Sequence, residues 1–184
     1  MSETKDKIVA LADKLVRTKG FNDFSYKDIA VPLAIKNAAV HYHFPTKTDL
    51  GVTVVDMETN SFHHNTSKWA KLPEDQQLKN LCEVFTKHCH AGNVCLMGSL
   101  APDFFTFEES LQLKVEQMAT DILEWLTKCL ENGRKKKYFS FNGSAENRAL
   151  LIITNLQSGL LLSRVLGPDK FTRITRQLLD DILP

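Results

Sequence analysis

A chain of 184 residues that is 43% hydrophobic and 24% charged has the composition of a folded globular protein, sized for one large domain or a small domain joined to a larger one. Its formal net charge of +1 excludes any case for a nucleic-acid partner from bulk charge, so such a case must rest on where the charges lie. The first residues, Met1 to Lys7, are polar and charged, no run of about 18 uncharged apolar residues occurs, and Cys82, Cys89, Cys95 and Cys129 form no CxxC pair; neither a signal peptide nor a membrane span is expected, and the reading is a cytoplasmic protein with reduced thiols.

Helices are predicted throughout and strands nowhere. Ile8, Leu11, Ala12, Leu15 and Val16 recur along one helical face, and Gly20 ends that helix. Ser25-Tyr26-Lys27-Asp28 has the form of a capping box, in which the hydroxyl takes an orphan helix N–H and the carboxylate reaches back. Behind it Ile29 and Leu33 face inward, and Pro32, which lacks an N–H, limits this second helix to about two turns. A short turn at Leu33-Ala34-Ile35 leads to a third helix from Lys36 to about Tyr42. Thr46 to Asp49 repeats the capping pattern and opens a fourth helix, through Met57 and Phe62 toward Trp69.

Longer amphipathic helices follow, from Glu74 to Ala91, Glu108 to Asn132, Ala145 to Leu166 and Asp169 to Leu183, punctuated by Pro73, Pro102, Gly143 and Gly167-Pro168. Lys135-Lys136-Lys137 is a solvated helix end. From Ala149 to Gly167 the chain is apolar on too many sides for a helix covered on one face, so a second copy of the chain is expected to cover it; Gly159 suits close approach either between subunits or within one.

Three short helices with a tight turn between the second and third form the pattern of a helix-turn-helix. At about 100° per residue, Val40 and Phe44 point to the core, whereas Ala38, His41 and Tyr42 point away and Asn37 lies on the flank. Small side chains let this face approach a major groove, while an amide and polar aromatic rings offer base-edge and phosphate contacts. At Thr46 and Lys47 the orphan N–H groups of the next helix, its positive dipole end and an ammonium coincide, so an anion is expected there. To residue 50 the chain carries eight basic side chains (Lys5, Lys7, Lys14, Arg17, Lys19, Lys27, Lys36, Lys47) against six acidic ones (Glu3, Asp6, Asp13, Asp23, Asp28, Asp49). So small a surplus implies modest non-specific affinity and a need for a second half-site.

Other chemistries find little support. His88 and His90 lie about 200° apart on one helix and cannot chelate one ion, Cys82, Phe85 and Cys89 share a face as buried thiols do, and His63-His64 has no evident partner. There is no nucleophile elbow, phosphate loop or HExxH, and no cofactor or metal is expected.

The segment GFNDFSYKDIAVPLAIKNAAVHYHFPTKTDL, Gly20 to Leu50, resembles the N-terminal DNA-binding domain of the TetR family of transcriptional regulators, through Gly20-Phe21, Asp28-Ile29-Ala30, the aromatic-His-Phe run, Lys47 and Leu50. The turn CLMGSLAPDF, Cys95 to Phe104, is similar to one branch of that family. The resemblance implies an all-α fold with a helix-turn-helix domain over residues 1–50 and a helical ligand-binding and dimerisation domain over 51–184. It implies DNA contacts from Ser25, Tyr26 and Lys27, base reading by Lys36, Asn37 and Ala38, and His41 where the family usually has a tyrosine touching phosphate or a thymine methyl. Tyr42 and His43 would follow the DNA backbone, and Lys47 would grip phosphate. Ala34 stands where the family usually has glycine, and a Cβ in a left-handed turn costs about 1 kcal/mol. Lys36 replaces the usual small N-cap. A ligand cavity would be lined by Met57, Phe85, Met97, Phe104, Phe105, Met118, Trp125 and Asn155, chosen as bulky or flexible apolar groups with one amide among them. The implied function is a repressor, homodimeric through its last two long helices, that a small apolar molecule releases from a palindromic double-stranded operator. The alternative is an enzyme or ligand carrier that keeps the fold without binding an operator.

Overall fold

Gly20 ends the first helix as its place in the sequence predicts: φ is +101° and its N–H bonds Val16 O at 3.0 Å. The computed structural model describes residues 3–184, and all regular structure among them is helical. The elements are α1 (Glu3–Lys19), α2 (Tyr26–Ala30), α3 (Asn37–His43), α4 (Lys47–Trp69), α5 (Glu74–His90), α6 (Leu96–Leu100), α7 (Glu109–Lys135), α8 (Ala145–Leu166) and α9 (Pro168–Asp180). A 3₁₀ turn, Ala101–Thr106, follows α6. Those last two short elements occupy the stretch expected to be a turn.

Contacts group the chain into two units. One comprises the chain to Asn60 together with Leu96–Met118; the other comprises Ser61–Cys95 and Ala119–Pro184. The helix-turn-helix stretch lies wholly in the first, which also takes in α6, the 3₁₀ turn and the start of α7, elements distant in sequence.

Of the stripe predicted for α1, Ile8, Ala12 and Val16 are at most 1% exposed while Leu11 and Leu15 are half-buried; Ile29, Val40, Phe44, Leu50 and Val54 are buried in the same unit. Arg17 is only 2% exposed, and its guanidinium is held by Asp13 at 2.8 Å and by Glu58 of α4 at 2.8 Å. A buried charge needs such partners, and these tie α1 to α4. The 3₁₀ turn and the start of α7 close over the loop after α1. Phe107 meets Phe21 edge to face at 5.2 Å, and Asn22 Nδ2 donates to Thr106 Oγ1 at 3.1 Å.

In the second unit Leu78, Leu126, Leu130, Ala149, Leu156, Leu160 and Phe171 form the dry centre. Gly159 serves close approach within this chain: a Cβ there would stand 3.1 Å from the Phe171 ring of α9. Two sequence expectations are corrected here. His63 is paired, its Nε2 lying 2.9 Å from Asp121 Oδ2 of α7. Lys136 is no merely solvated side chain, because its Nζ donates to Oε1 of the buried Glu74 at 2.6 Å, and that bond raises the lysine pKa. The thiol reading agrees with the structure at Cys82 and Cys129, both buried and pushed up to about 12, chiefly by burial.

Helix α8 is long and apolar enough to cross a membrane by length and composition. Of its exposed apolar residues, Leu150, Leu161 and Val165 lie on the side opposite the buried Ile152, Leu156, Gly159 and Ser163, and Leu151 and Leu162 lie on the flank; Leu166, at the end of the helix, is exposed too.

Gly51 of α4 sits in close packing within the first unit. A Cβ there would lie 2.7 Å from the Phe21 ring and 3.0 Å from Leu111 Cδ2. Ala normally favours a helix over Gly by about 1 kcal/mol, but forcing a methyl into a filled core costs roughly 1 to 3 kcal/mol, so the second effect should win. Gly51→Ala is expected to lower the thermal midpoint by a few degrees; a rise in the midpoint would show that Phe21 and Leu111 give way freely.

Candidate nucleic-acid interface

The recognition surface is built from two short helices and the turn between them. Ser25 caps α2 in extended backbone, and its N–H and Oγ both donate to Asp28 Oδ2 at 2.8 Å, as the capping box predicts. Those bonds, helped by Lys19 at 3.3 Å, lower the Asp28 pKa to about 2. Pro32 and the turn after Ala30 end α2 within two turns. Ile35 N–H bonds Ala30 O at 3.0 Å, and Ala34 adopts φ +53°, the left-handed conformation that a Cβ disfavours. Helix α3 then begins at Asn37, with Lys36 at the N-cap and no side-chain cap.

The direction of α3 agrees with its pattern. Val40 and Phe44 are 0% and 2% exposed, whereas Asn37, Ala38 and His41 are exposed and Tyr42 is 82% exposed. Ser25, Tyr26, Lys27, Asn37, His41 and Lys47 come together around a concavity of about 410 Å³. Lys36, Ala38, Tyr42 and His43 do not line it; Tyr42 stands beside His43, ring centroids 5.2 Å apart.

Two residues expected at the DNA are turned inward. Tyr26 is buried, and its hydroxyl lies 2.7 Å from Phe44 O and 2.5 Å from Thr46 O, giving its proton to the chain itself. Burial, with Asp49 adding to it, pushes its pKa up to about 12. Lys47 is half-buried: its Nζ donates to Phe24 O and lies 4.2 Å and 5.0 Å from the ring centroids of Phe24 and Phe21. The capping box predicted at the start of α4 is formed. Asp49 Oδ2 accepts from Thr46 N–H at 2.9 Å and from Thr46 Oγ1 at 2.8 Å, while Asp49 N–H donates to Thr46 Oγ1 at 3.1 Å.

Phe24 and Pro45 line the concavity and were not singled out from sequence. A signal for Phe24 existed: an apolar residue just before an N-cap, with Ile29 five positions on, is a hydrophobic staple.

The eight residues proposed for a ligand cavity are dispersed. Met57, Met97, Phe104, Phe105 and Met118 belong to the first unit and Phe85, Trp125 and Asn155 to the second. Phe105 is 92% exposed, Met57 is 40% exposed, Met118 is wholly buried core, and Asn155 faces outward with its Nδ2 on Leu151 O at 2.8 Å. Bulk and flexibility select core and surface residues alike, so these traits cannot by themselves mark a pocket. Trp125, beside Trp69 and Phe62, lines a cleft of about 460 Å³ within the second unit.

Known proteins share this arrangement. Residues 8–51 match the family model described as bacterial regulatory proteins, tetR family. The HTH-type transcriptional repressor NemR of Escherichia coli (strain K12) is 19% identical over 156 residues, spanning 82% of this chain and 78% of its own. A TetR-family transcriptional regulator from Agrobacterium tumefaciens superposes with a TM-score of 0.92 at 26% identity, covering 98% of both chains. A TetR transcriptional regulator from Legionella pneumophila is 32% identical, with a TM-score of 0.87 over 98% of this chain and 97% of that one. That identity over nearly the whole of two chains, together with the matched helix-turn-helix, shows that this chain belongs to the TetR family of DNA-binding transcriptional regulators.

Proposed function

We propose that the protein is a cytoplasmic, homodimeric repressor that reads a twofold operator with α3 and is released from it by a small molecule. The observation that carries the reading is the division of α3: its two apolar anchors are buried, while a small, polar-aromatic face of Asn37, Ala38, His41 and Tyr42 is exposed, as are Lys27 of α2 and Lys36 at the N-cap. Such a face reaches base edges, and flanking cations position it on phosphates. The exposed apolar side of α8 supports pairing with the α8 and α9 of a second copy, which would place two recognition helices for two half-sites. The NemR relative, named as a repressor, supports that sign of regulation.

For the ligand, we propose the cleft beside Trp125, whose walls include Thr66, Glu74, Gln77, Asn132 and Lys136. These polar walls favour a ligand with hydrogen-bonding groups around the apolar or aromatic body expected from sequence.

Two experiments test these readings. A duplex enriched from a random pool should outcompete unrelated DNA. Against it, Lys27→Ala should weaken binding to all sequences and reduce the salt slope by about one, whereas Asn37→Ala should relax preference at one base pair by about 1 to 3 kcal/mol. Recovery of no preferred duplex would favour a ligand carrier or enzyme that has kept only the fold. For the ligand, reciprocity requires operator and ligand to weaken each other by the same factor, roughly 5- to 150-fold for ordinary coupling. Calorimetric titration of a compound that perturbs Trp125 should therefore show weaker binding when operator is present, and equal affinities would remove it as an inducer.

A further inference from the structure

We propose that the ligand of the cleft beside Trp125 carries a positively charged nitrogen on an aromatic body, and that Glu74 is the residue that selects it; this rests on the reading of that cleft as the ligand site. The inference starts from an orphaned atom. Glu74 lines the cleft and is only 5% exposed; its Oε1 accepts from Lys136 Nζ at 2.6 Å, but its Oε2 is buried with no hydrogen-bond partner. A carboxylate oxygen shut from water and left unbonded costs free energy that an incoming donor recovers.

The other buried walls ask for the same chemistry. Thr66 gives its hydroxyl proton to His63 O at 3.1 Å, Gln77 Nε2 donates to Leu72 O at 2.8 Å, and Cys129 Sγ donates to Glu74 O at 3.6 Å. With these donors turned to the chain itself, the side-chain oxygens of Glu74, Gln77 and Thr66 remain as acceptors. An anion entering here meets a buried carboxylate, whereas a cationic N–H meets an acceptor in the charge-assisted form that is strongest. The half-buried indole of Trp125 supplies the ring on which a cation is held best. Lys128 opposes a cation from the rim, but it is exposed and its charge is screened by salt. Gly133 fixes the stem of Glu74, since a Cβ there would lie 3.1 Å from Glu74 Cβ. The carboxylate is the part left to move. A turn about its soft Cγ–Cδ bond brings Oε2 to the cleft, and the Lys136 side chain, 61% exposed, can follow.

Three probes with one body and different charge test this: phenethylammonium, phenethyl alcohol and hydrocinnamate. Each is titrated into the free protein at millimolar concentration while the indole N–H resonance of Trp125 is followed, so no operator is needed. The ammonium should bind about tenfold more tightly than the alcohol, and hydrocinnamate most weakly. Glu74→Gln, which keeps the size of the side chain and an oxygen for Lys136, should abolish that preference. Lys136→Met opens Oε1 of Glu74 as well, so the ammonium should bind about tenfold more tightly still and raise the thermal midpoint more than it does in the parent. Equal affinities for the three probes, a preference for hydrocinnamate, or an ammonium preference that survives Glu74→Gln would overturn the proposal and leave the cleft standing as the ligand site. If Glu74→Gln does not fold, Lys136→Met decides alone, and no gain for the ammonium overturns the proposal. A Trp125 resonance that none of the three displaces would instead overturn the reading of the cleft, and the proposal with it.

Discussion

The buried phenol of Tyr26, shared between Phe44 O and Thr46 O, is the contact on which the DNA-facing surface depends. Helices of five and seven residues cannot sustain themselves in water, since nucleating a helix costs more than so few bonds return. Helices α2 and α3 are stable only where their ends and apolar sides are held. Tyr26 holds the ends from inside, Ile29, Val40 and Phe44 hold the sides, and capping boxes close the start of α2 and, beyond α3, the start of α4. The strain at Ala34 is tolerated because this frame over-determines the turn.

The same frame explains how a protein of almost zero net charge can serve as a DNA-binding regulator. Its lysines near the interface fall into two sets. Lys47 is half-buried and donates to Phe24 O in the free chain, whereas Lys27 and Lys36 are exposed. In the proposed dimer, few cations per subunit would keep non-specific affinity small and leave specific affinity to two correctly spaced recognition helices. The exposed apolar face of α8 would be covered in that proposed dimer, since such a stripe is rarely left in water.

Local signals in the sequence predicted local structure well. Gly20, Ser25 to Asp28 and Thr46 to Asp49 each specify a helix boundary through atoms within four residues, and the burial of Val40 and Phe44 against the exposure of Tyr42 follows from helical period alone. What escaped the sequence depends on distant partners. Nothing near Lys47 announces that its ammonium meets a carbonyl 23 positions earlier, and nothing near His63 announces Asp121, 58 positions on. The stretch Leu96 to Thr106 lacked a periodic pattern because α6 and the 3₁₀ turn are too short to show one, and their packing on α1 and its loop comes from residues far away in the chain. Candidate ligand residues were chosen by type, which does not distinguish Phe105, 92% exposed, from Met118, 1% exposed.

The central claim is that two copies, joined through the outward face of α8, present two α3 helices to one operator. Sedimentation of the protein with a selected duplex measures this directly, for the parent chain and for Leu162→Glu, which puts a charge on the flank of that face. Two chains per duplex are predicted for the parent, and a monomer that no longer binds the duplex at the same concentration for the variant. A parent protein that binds as a single chain, or a variant that binds as a dimer unchanged, would contradict the account.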